Sequence, residues 1–210
     1  MMRKNFVAIF FVMCFALFLQ SFSYAAVRTE QLQRAWDKIA STASLEHAPE
    51  VRVEDRKEPN AWVSFSMNQY SVHVTTGMLE ILENEDQIAG ILGHETGHIK
   101  LGHYKETMGR NLLWVLLYRA FGNKDSKVDP LALGLALAES GFSRQQEVEA
   151  DDYGIRLAAR AGYDPWGLVQ SLEIMKLAGF QTSPSGFNSH PPTERRLIHV
   201  TNTAKEVADN

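Results

Sequence analysis

One cysteine, Cys14, stands in 210 residues, so no intramolecular disulfide can staple this chain. A domain without disulfides must be held by its core, which about 185 residues can supply. Basic residues are not in excess: 21 Lys and Arg face 25 Asp and Glu, a formal charge of −4. Without a basic patch there is no electrostatic footprint for nucleic acid. No internal repeat is present, which excludes a solenoid or propeller. Long apolar runs are scarce as well. The one at Phe6 to Leu19 falls short of the roughly 20 residues of a spanning helix.

That run follows Arg3 and Lys4 and precedes Ser23-Tyr24-Ala25, the pattern of a secretory signal peptide cut after Ala25 or Ala26. Cys14 lies within it, and Phe11-Val12-Met13 before the cysteine lacks the small residue of lipoprotein processing. The expectation is a signal peptide over 1–25 and a single domain over 26–210, secreted across the inner membrane to the periplasm. Losing Arg3 and Lys4 takes the charge from −4 to −6.

Apolar residues at Leu32, Ala35, Trp36, Ile39 and Ala43 predict an amphipathic helix over 29–43. Three alternating runs, 51–55, 61–66 and 70–76, predict a small antiparallel sheet, with turn formers at Glu58-Pro59-Asn60 and Met67-Asn68-Gln69 between them. From there the pattern is helical. A short helix at MLEILE precedes a longer one opened by Asn84 as N-cap, with Gln87 three residues on, and running through GILGHETGHIKLGHYKE. Residues 107–122 and 128–142 read as an apolar helical hairpin joined by NKDSK. Neither arm reaches spanning length, so burial is the plainer reading, with contact to a membrane surface or an outer-membrane protein left open. A helix over 143–162 ends at Gly162, another starts at Asp164-Pro165, and a loop over 181–192 leads into the last helix.

The chemistry concentrates in His94-Glu95-Thr96-Gly97-His98. Positions i and i+4 lie about 40° apart on one helix face, so both imidazoles can reach one metal ion. Zinc suits imidazole, and a catalytic site takes three protein ligands and leaves a position for water. Glu95 points to the side of the pair, placed to take a proton from a zinc-bound water. Gly90 to Gly93 make the approach to the motif small and apolar, so the helix is packed inside.

A third ligand is needed. On a continuous helix His103 lies about 180° from His94 and faces away, which leaves it a structural or capping role. Glu147 is the better candidate, with Asp151 one turn later on the same face to fix a histidine tautomer. Glu149 and Asp152 point elsewhere and read as solvated. From the residues alone, a surface acid is as good a reading of Glu147 as a ligand.

HETGH at 94–98, EVEAD at 147–151 and HPPTERR at 190–196 resemble, in order and spacing, the HExxH, ExxAD and HPxxxxR elements of the zinc metalloendopeptidase family that contains HtpX, the CAAX prenyl protease and the small soluble periplasmic proteases LoiP and BepA. The resemblance covers roughly residues 51–199. It implies a mainly helical α+β zincin domain of minigluzincin type with an active-site helix carrying HExxH, and one Zn2+ per chain. It implies His94, His98 and Glu147 as zinc ligands, Glu95 as general base, and Asp151 and Arg196 as supporting residues behind them. His190 matches a loop histidine that stabilises the oxyanion or, in some members, closes the site. Asn60-Ala61-Trp62 resembles the start of the edge strand that binds extended substrate, where added-strand pairing ignores side-chain identity. The implied function is hydrolysis of misfolded or envelope polypeptides. The rival is a chaperone-like zinc protein with a latent or closed protease site.

Overall fold

A computed structural model describes residues 26–46, 48–66, 69–107, 109–110, 113, 141–179, 190 and 193–210. The expected signal peptide, most of the hairpin over 107–142 and most of the loop over 181–192 lie outside them. The chain opens with helix α1 over 26–42, starting three residues earlier than expected. It buries Leu32, Ala35, Trp36, Ile39 and Ala40, the 3.6-residue stripe that the sequence shows. Trp36 donates its indole N–H to the Pro49 carbonyl, 2.8 Å away, which fixes the approach to the sheet.

The sheet consists of β1 (Glu50–Glu54), β2 (Ala61–Ser66) and β3 (Gln69–Thr75), in the order β1-β3-β2. It is mixed, not antiparallel: β2 pairs antiparallel with β3, but β1 pairs parallel with it, Val51 opposite Val72 and Val53 opposite Val74. Burial accounts for the order. Val72, His73, Val74 and Thr75 of β3 are all buried, whereas β1 leaves Val53 38% exposed, so β3 takes the centre and β1 an edge. The connection over 55–60 is long enough to carry the chain across β3, a span of two strand spacings or about 10 Å.

Thr75 then caps the short α2 (Thr76–Ile81), and Asn84 caps α3 (Glu85–Lys100) by accepting from the Gln87 N–H. The Gln87 side chain accepts from the backbone of Glu83, not of Asn84, so the box is offset by one residue. Helix α4 (Arg144–Arg160) carries a full capping box, Ser143 with Gln146, and ends before Gly162, whose φ is +86°. Helix α5 (Gly167–Leu177) starts two residues later than Asp164-Pro165 suggests: Asp164 instead accepts from the Trp166 N–H, 2.9 Å, in the turn leading in. Helix α6 (Glu194–Ala208) is capped by Thr193. Among the described residues no helix is long and apolar enough to cross a membrane.

α3 lies at the centre, packed on α4 and α5, and every residue from Gln87 to His98 is buried. Its glycines permit this. A Cβ on Gly93 would sit 2.7 Å from the Gly154 carbonyl oxygen, and one on Gly97 2.8 Å from that of Ala150. The reverse holds at Gly154, whose Cβ would meet the His94 nitrogen at 2.6 Å. Backbone cannot yield as a flexible side chain can. This near-contact of α3 and α4 brings the acids of one helix onto the histidines of the other.

Candidate metal centre

His94, Glu95 and His98 on α3 are fully buried, as is Asp151 on α4, while Glu147 on α4 is 8% exposed. The two Nε2 atoms of His94 and His98 face each other at 3.1 Å, the geometry that i,i+4 spacing dictates. Glu147 reaches across from α4, with Oε1 3.4 Å from His98 Nε2 and Oε2 3.8 Å from His94 Nε2. His190, four residues before the start of α6, enters the same space, its Nδ1 2.8 Å from Glu147 Oε1 and 3.1 Å from His94 Nε2. One potential ligand atom from each of these four residues lies within 4.8 Å of the other three.

The donor set fits a divalent metal. Two zinc–nitrogen bonds of about 2.0–2.1 Å at a tetrahedral angle place their nitrogens about 3.3 Å apart, close to the 3.1 Å between the histidines. Two buried carboxyl oxygens, Glu147 Oε2 and Glu95 Oε1, have no hydrogen-bond partner among the described residues. Arg196 Nη1 comes within 3.2 Å of Glu147 Oε2 without aligning a hydrogen bond on it. Orphaned buried acceptors are costly, and a cation would satisfy this one.

Asp151 and Arg196 stand behind the cluster. Asp151 Oδ1 is 2.8 Å from His94 Nδ1, so the far nitrogen donates to a carboxylate and the near one keeps its lone pair. Arg196 grips Asp151 with two donors, Nε to Oδ2 at 2.8 Å and Nη2 to Oδ1 at 2.7 Å. Its third, Nη1, donates to the His190 carbonyl at 2.8 Å. One guanidinium thus ties α4, α6 and His190 together.

The charges follow from these contacts. Burial pushes the His98 imidazole well below its usual range, and its histidine neighbours add to this while Glu147 opposes; it is neutral, as a ligand must be. Burial would raise Glu147, but His190, His98 and Arg196 hold it below the carboxylate range. Burial would raise Asp151 too, yet the Arg196 ion pair and His94 bring it down to about 2. Burial lowers His190, but the facing Glu147 and Glu95 outweigh it and raise it.

Glu95 shows its other oxygen to Tyr104, whose hydroxyl donates to Oε2 at 2.9 Å and accepts from the Val63 N–H at 3.2 Å. Burial first, and Glu95 second, raise the Tyr104 pKa well above normal, so it stays a donor. Val63 belongs to β2, whose expected substrate-pairing residues take different places. Ala61 is buried; Trp62 stacks on His73, 4.9 Å between centroids, with the Arg56 guanidinium over its ring; Asn60 accepts from Thr75. None of the three touches the histidine cluster in any described contact, and the link between strand and cluster runs through Val63 and Tyr104.

Sequence periodicity placed one residue wrongly. α3 stops at Lys100 and does not run on to Glu106, because Gly102 takes a φ of +76° and turns the chain back. His103 is therefore not on the far face: it is buried, with Nδ1 3.0 Å from His98 Nδ1. Glu149 is exposed, as the sequence reading expects, and its carboxyl also meets His103 Nε2 at 3.2 Å. Asp152 accepts from His199 and Thr203 of α6. Phe142, which periodicity did not single out, stacks on the His98 ring at 3.8 Å.

Helix-borne histidines facing a carboxylate from a second helix, with a further buried glutamate beside them, define a candidate metal centre of the hydrolytic kind. The chain belongs to peptidase family M48, which it matches over residues 26–204. It is 33% identical over 150 residues to the metalloprotease LoiP of Escherichia coli, covering 69% of this chain and 58% of that one. It is 32% identical over 149 residues to the metalloprotease YcaL of the same organism, covering 67% and 56%. To the mitochondrial metalloendopeptidase OMA1 of Arabidopsis thaliana it is 33% identical over 175 residues, 80% of this chain and 35% of the other. The chain thus spans little more than half the length of LoiP and YcaL.

Proposed function

We propose that this protein is a zinc-dependent endopeptidase of zincin fold that hydrolyses peptide bonds of misfolded or envelope polypeptides. Residues 1–25 serve as its signal peptide, and 26–210 form the catalytic domain in the periplasm. The observation that carries this reading is the convergence of His94, His98 and Glu147 beside Glu95, whose Oε1 has no hydrogen-bond partner among the described residues and lies 3.7 Å from His190 Nε2, in a chain of peptidase family M48. His94, His98 and Glu147 would hold the ion. Zinc supplies a Lewis acid that polarises the scissile carbonyl and acidifies water. Glu95 offers Oε1 to the attacking water, takes its proton and returns it to the leaving amine, while Tyr104 keeps the other oxygen fixed. Asp151 holds His94 in the tautomer that presents Nε2. β2 presents backbone to an extended substrate near the site. Cleavage of casein by protein purified after expression of the full chain, abolished by chelator and restored by zinc, tests the reading. Glu147→Ala should lose zinc by metal analysis; zinc content equal to wild type would remove Glu147 from the ligand set.

A second reading, a latent site closed by His190, is favoured by the place of its Nδ1 within the donor cluster. The same assay separates the two. If His190 occupies a ligand position at rest, His190→Ala raises casein cleavage. If it is a donor to the oxyanion, the variant loses on the order of 10²-fold in kcat.

A further inference from the structure

The ring nitrogens of His98 are both engaged, one toward the candidate metal position and one away from it. The one pointing away, Nδ1, lies 3.0 Å from His103 Nδ1; His103 Nε2 lies 3.2 Å from Glu149 Oε2; and Glu149 Oε1 accepts from Gln145 Nε2 at 2.8 Å. His103 is 2% exposed, while the Glu149 side chain is 45% exposed. The series runs from the buried centre to the surface through one imidazole.

Donors and acceptors along it have one consistent direction. An ionised Glu149 only accepts, so His103 Nε2 carries the hydrogen. A neutral imidazole with a hydrogen on Nε2 has a lone pair on Nδ1, which can only accept. The hydrogen between the two rings therefore belongs to His98 Nδ1, and His98 Nε2 is left with its lone pair toward Glu147 and His94. Asp151 does the same for His94 directly, Oδ1 to Nδ1 at 2.8 Å. The two histidines of HETGH thus have unlike supports, a buried carboxylate for one and an imidazole leading to a half-exposed carboxylate for the other.

We propose that His103 is a positioning residue for the metal centre, fixing the tautomer and ring orientation of His98 on behalf of Glu149. Gly102 makes this possible, since its positive φ returns the chain over the end of α3. The inference rests on the zinc-site reading for its metal consequence, but the tautomer of His98 belongs to the chain itself.

Two measurements on protein purified after expression of the full chain test it. Zinc dissociation constants from chelator competition should rise 10–100-fold in His103→Phe, which keeps the aromatic volume and removes the acceptor. His103→Gln, whose amide oxygen can accept from His98 Nδ1, should recover to within a few-fold of wild type. Glu149→Gln, at a half-exposed position that leaves the fold intact, should rise several-fold. In zinc-free protein labelled with 15N-histidine, long-range proton–nitrogen spectra should show the His98 hydrogen on Nδ1 in wild type and a mixture of tautomers in Glu149→Gln and His103→Phe. A role confined to packing would lower stability to urea without moving the tautomer or the zinc constant of the folded protein. The proposal is overturned if His98 keeps one tautomer in both variants, or if His103→Phe and His103→Gln bind zinc alike. Failure of the wild type to bind zinc would sink the zinc reading instead, while the tautomer experiment still decides the role of His103.

Discussion

Glu95→Gln is expected to lower kcat/KM for casein by about 10²–10⁴-fold, the usual worth of a positioned general base, with zinc content unchanged. Glu95 is not among the four residues whose ligand atoms converge, so its loss leaves the metal donors in place. Glutamine is nearly isosteric, and its carbonyl can still accept from the Tyr104 hydroxyl that now holds Oε2. The amide nitrogen then takes the place of Oε1, the oxygen without a hydrogen-bond partner among the described residues. A donor stands where an acceptor is needed, and the amide takes up no proton near neutral pH. The measurement is initial cleavage rate together with bound zinc on the same samples. Equal rates in wild type and variant would refute the assignment of Glu95 and, with it, the enzymatic reading.

The residues legible in the sequence are those that helical geometry alone brings together. His94 and His98 needed only i,i+4 spacing; the same rule puts Glu147 and Asp151 on one face of a second helix, but a surface acid read equally well there until the family resemblance was added. Which helix faces which was not legible from periodicity. It is set by Gly93 and Gly97 against Gly154 and Ala150, and by Gly90 against Gly167 and Leu168, and resemblance to the family's ordered motifs supplied that link. Loops were the harder part. Arg196 holds the His190 carbonyl beside the cluster, a contact to a helix start that no periodic pattern encodes. Placing His103 on the far face assumed a continuous helix. The signal against it was in the chain, since a glycine two residues after Lys100 commonly marks a helix end. The mixed sheet has the same origin: alternation identifies strands but not their neighbours.

Arg196→Met should be the most destabilising single change at the site, by about 3–5 kcal/mol, because it leaves one member of a buried ion pair without its partner. The Asp151 carboxylate would keep only the His94 contact, and the His190 carbonyl would lose its donor. For a domain of this size that is a fall in Tm of roughly 6–20 °C. Asp151→Asn added to Arg196→Met should recover part of the loss, since no charge is then stranded. The pH dependence has a definite sign. In the folded chain Asp151 is held down at about 2 by Arg196 and His94 against its burial, whereas an unfolded aspartate titrates near about 4. Its contribution is therefore complete above about pH 4 and is lost as pH falls through about 2, an amount of roughly 2 kcal/mol. Urea unfolding with chelator present, so that zinc linkage does not enter, should show a wide stability gap between wild type and Arg196→Met at pH 7 and a narrower one at pH 3. A gap of the same size at both pH values would mean that Asp151 does not carry its charge in the folded protein, and that Arg196 serves chiefly to hold His190.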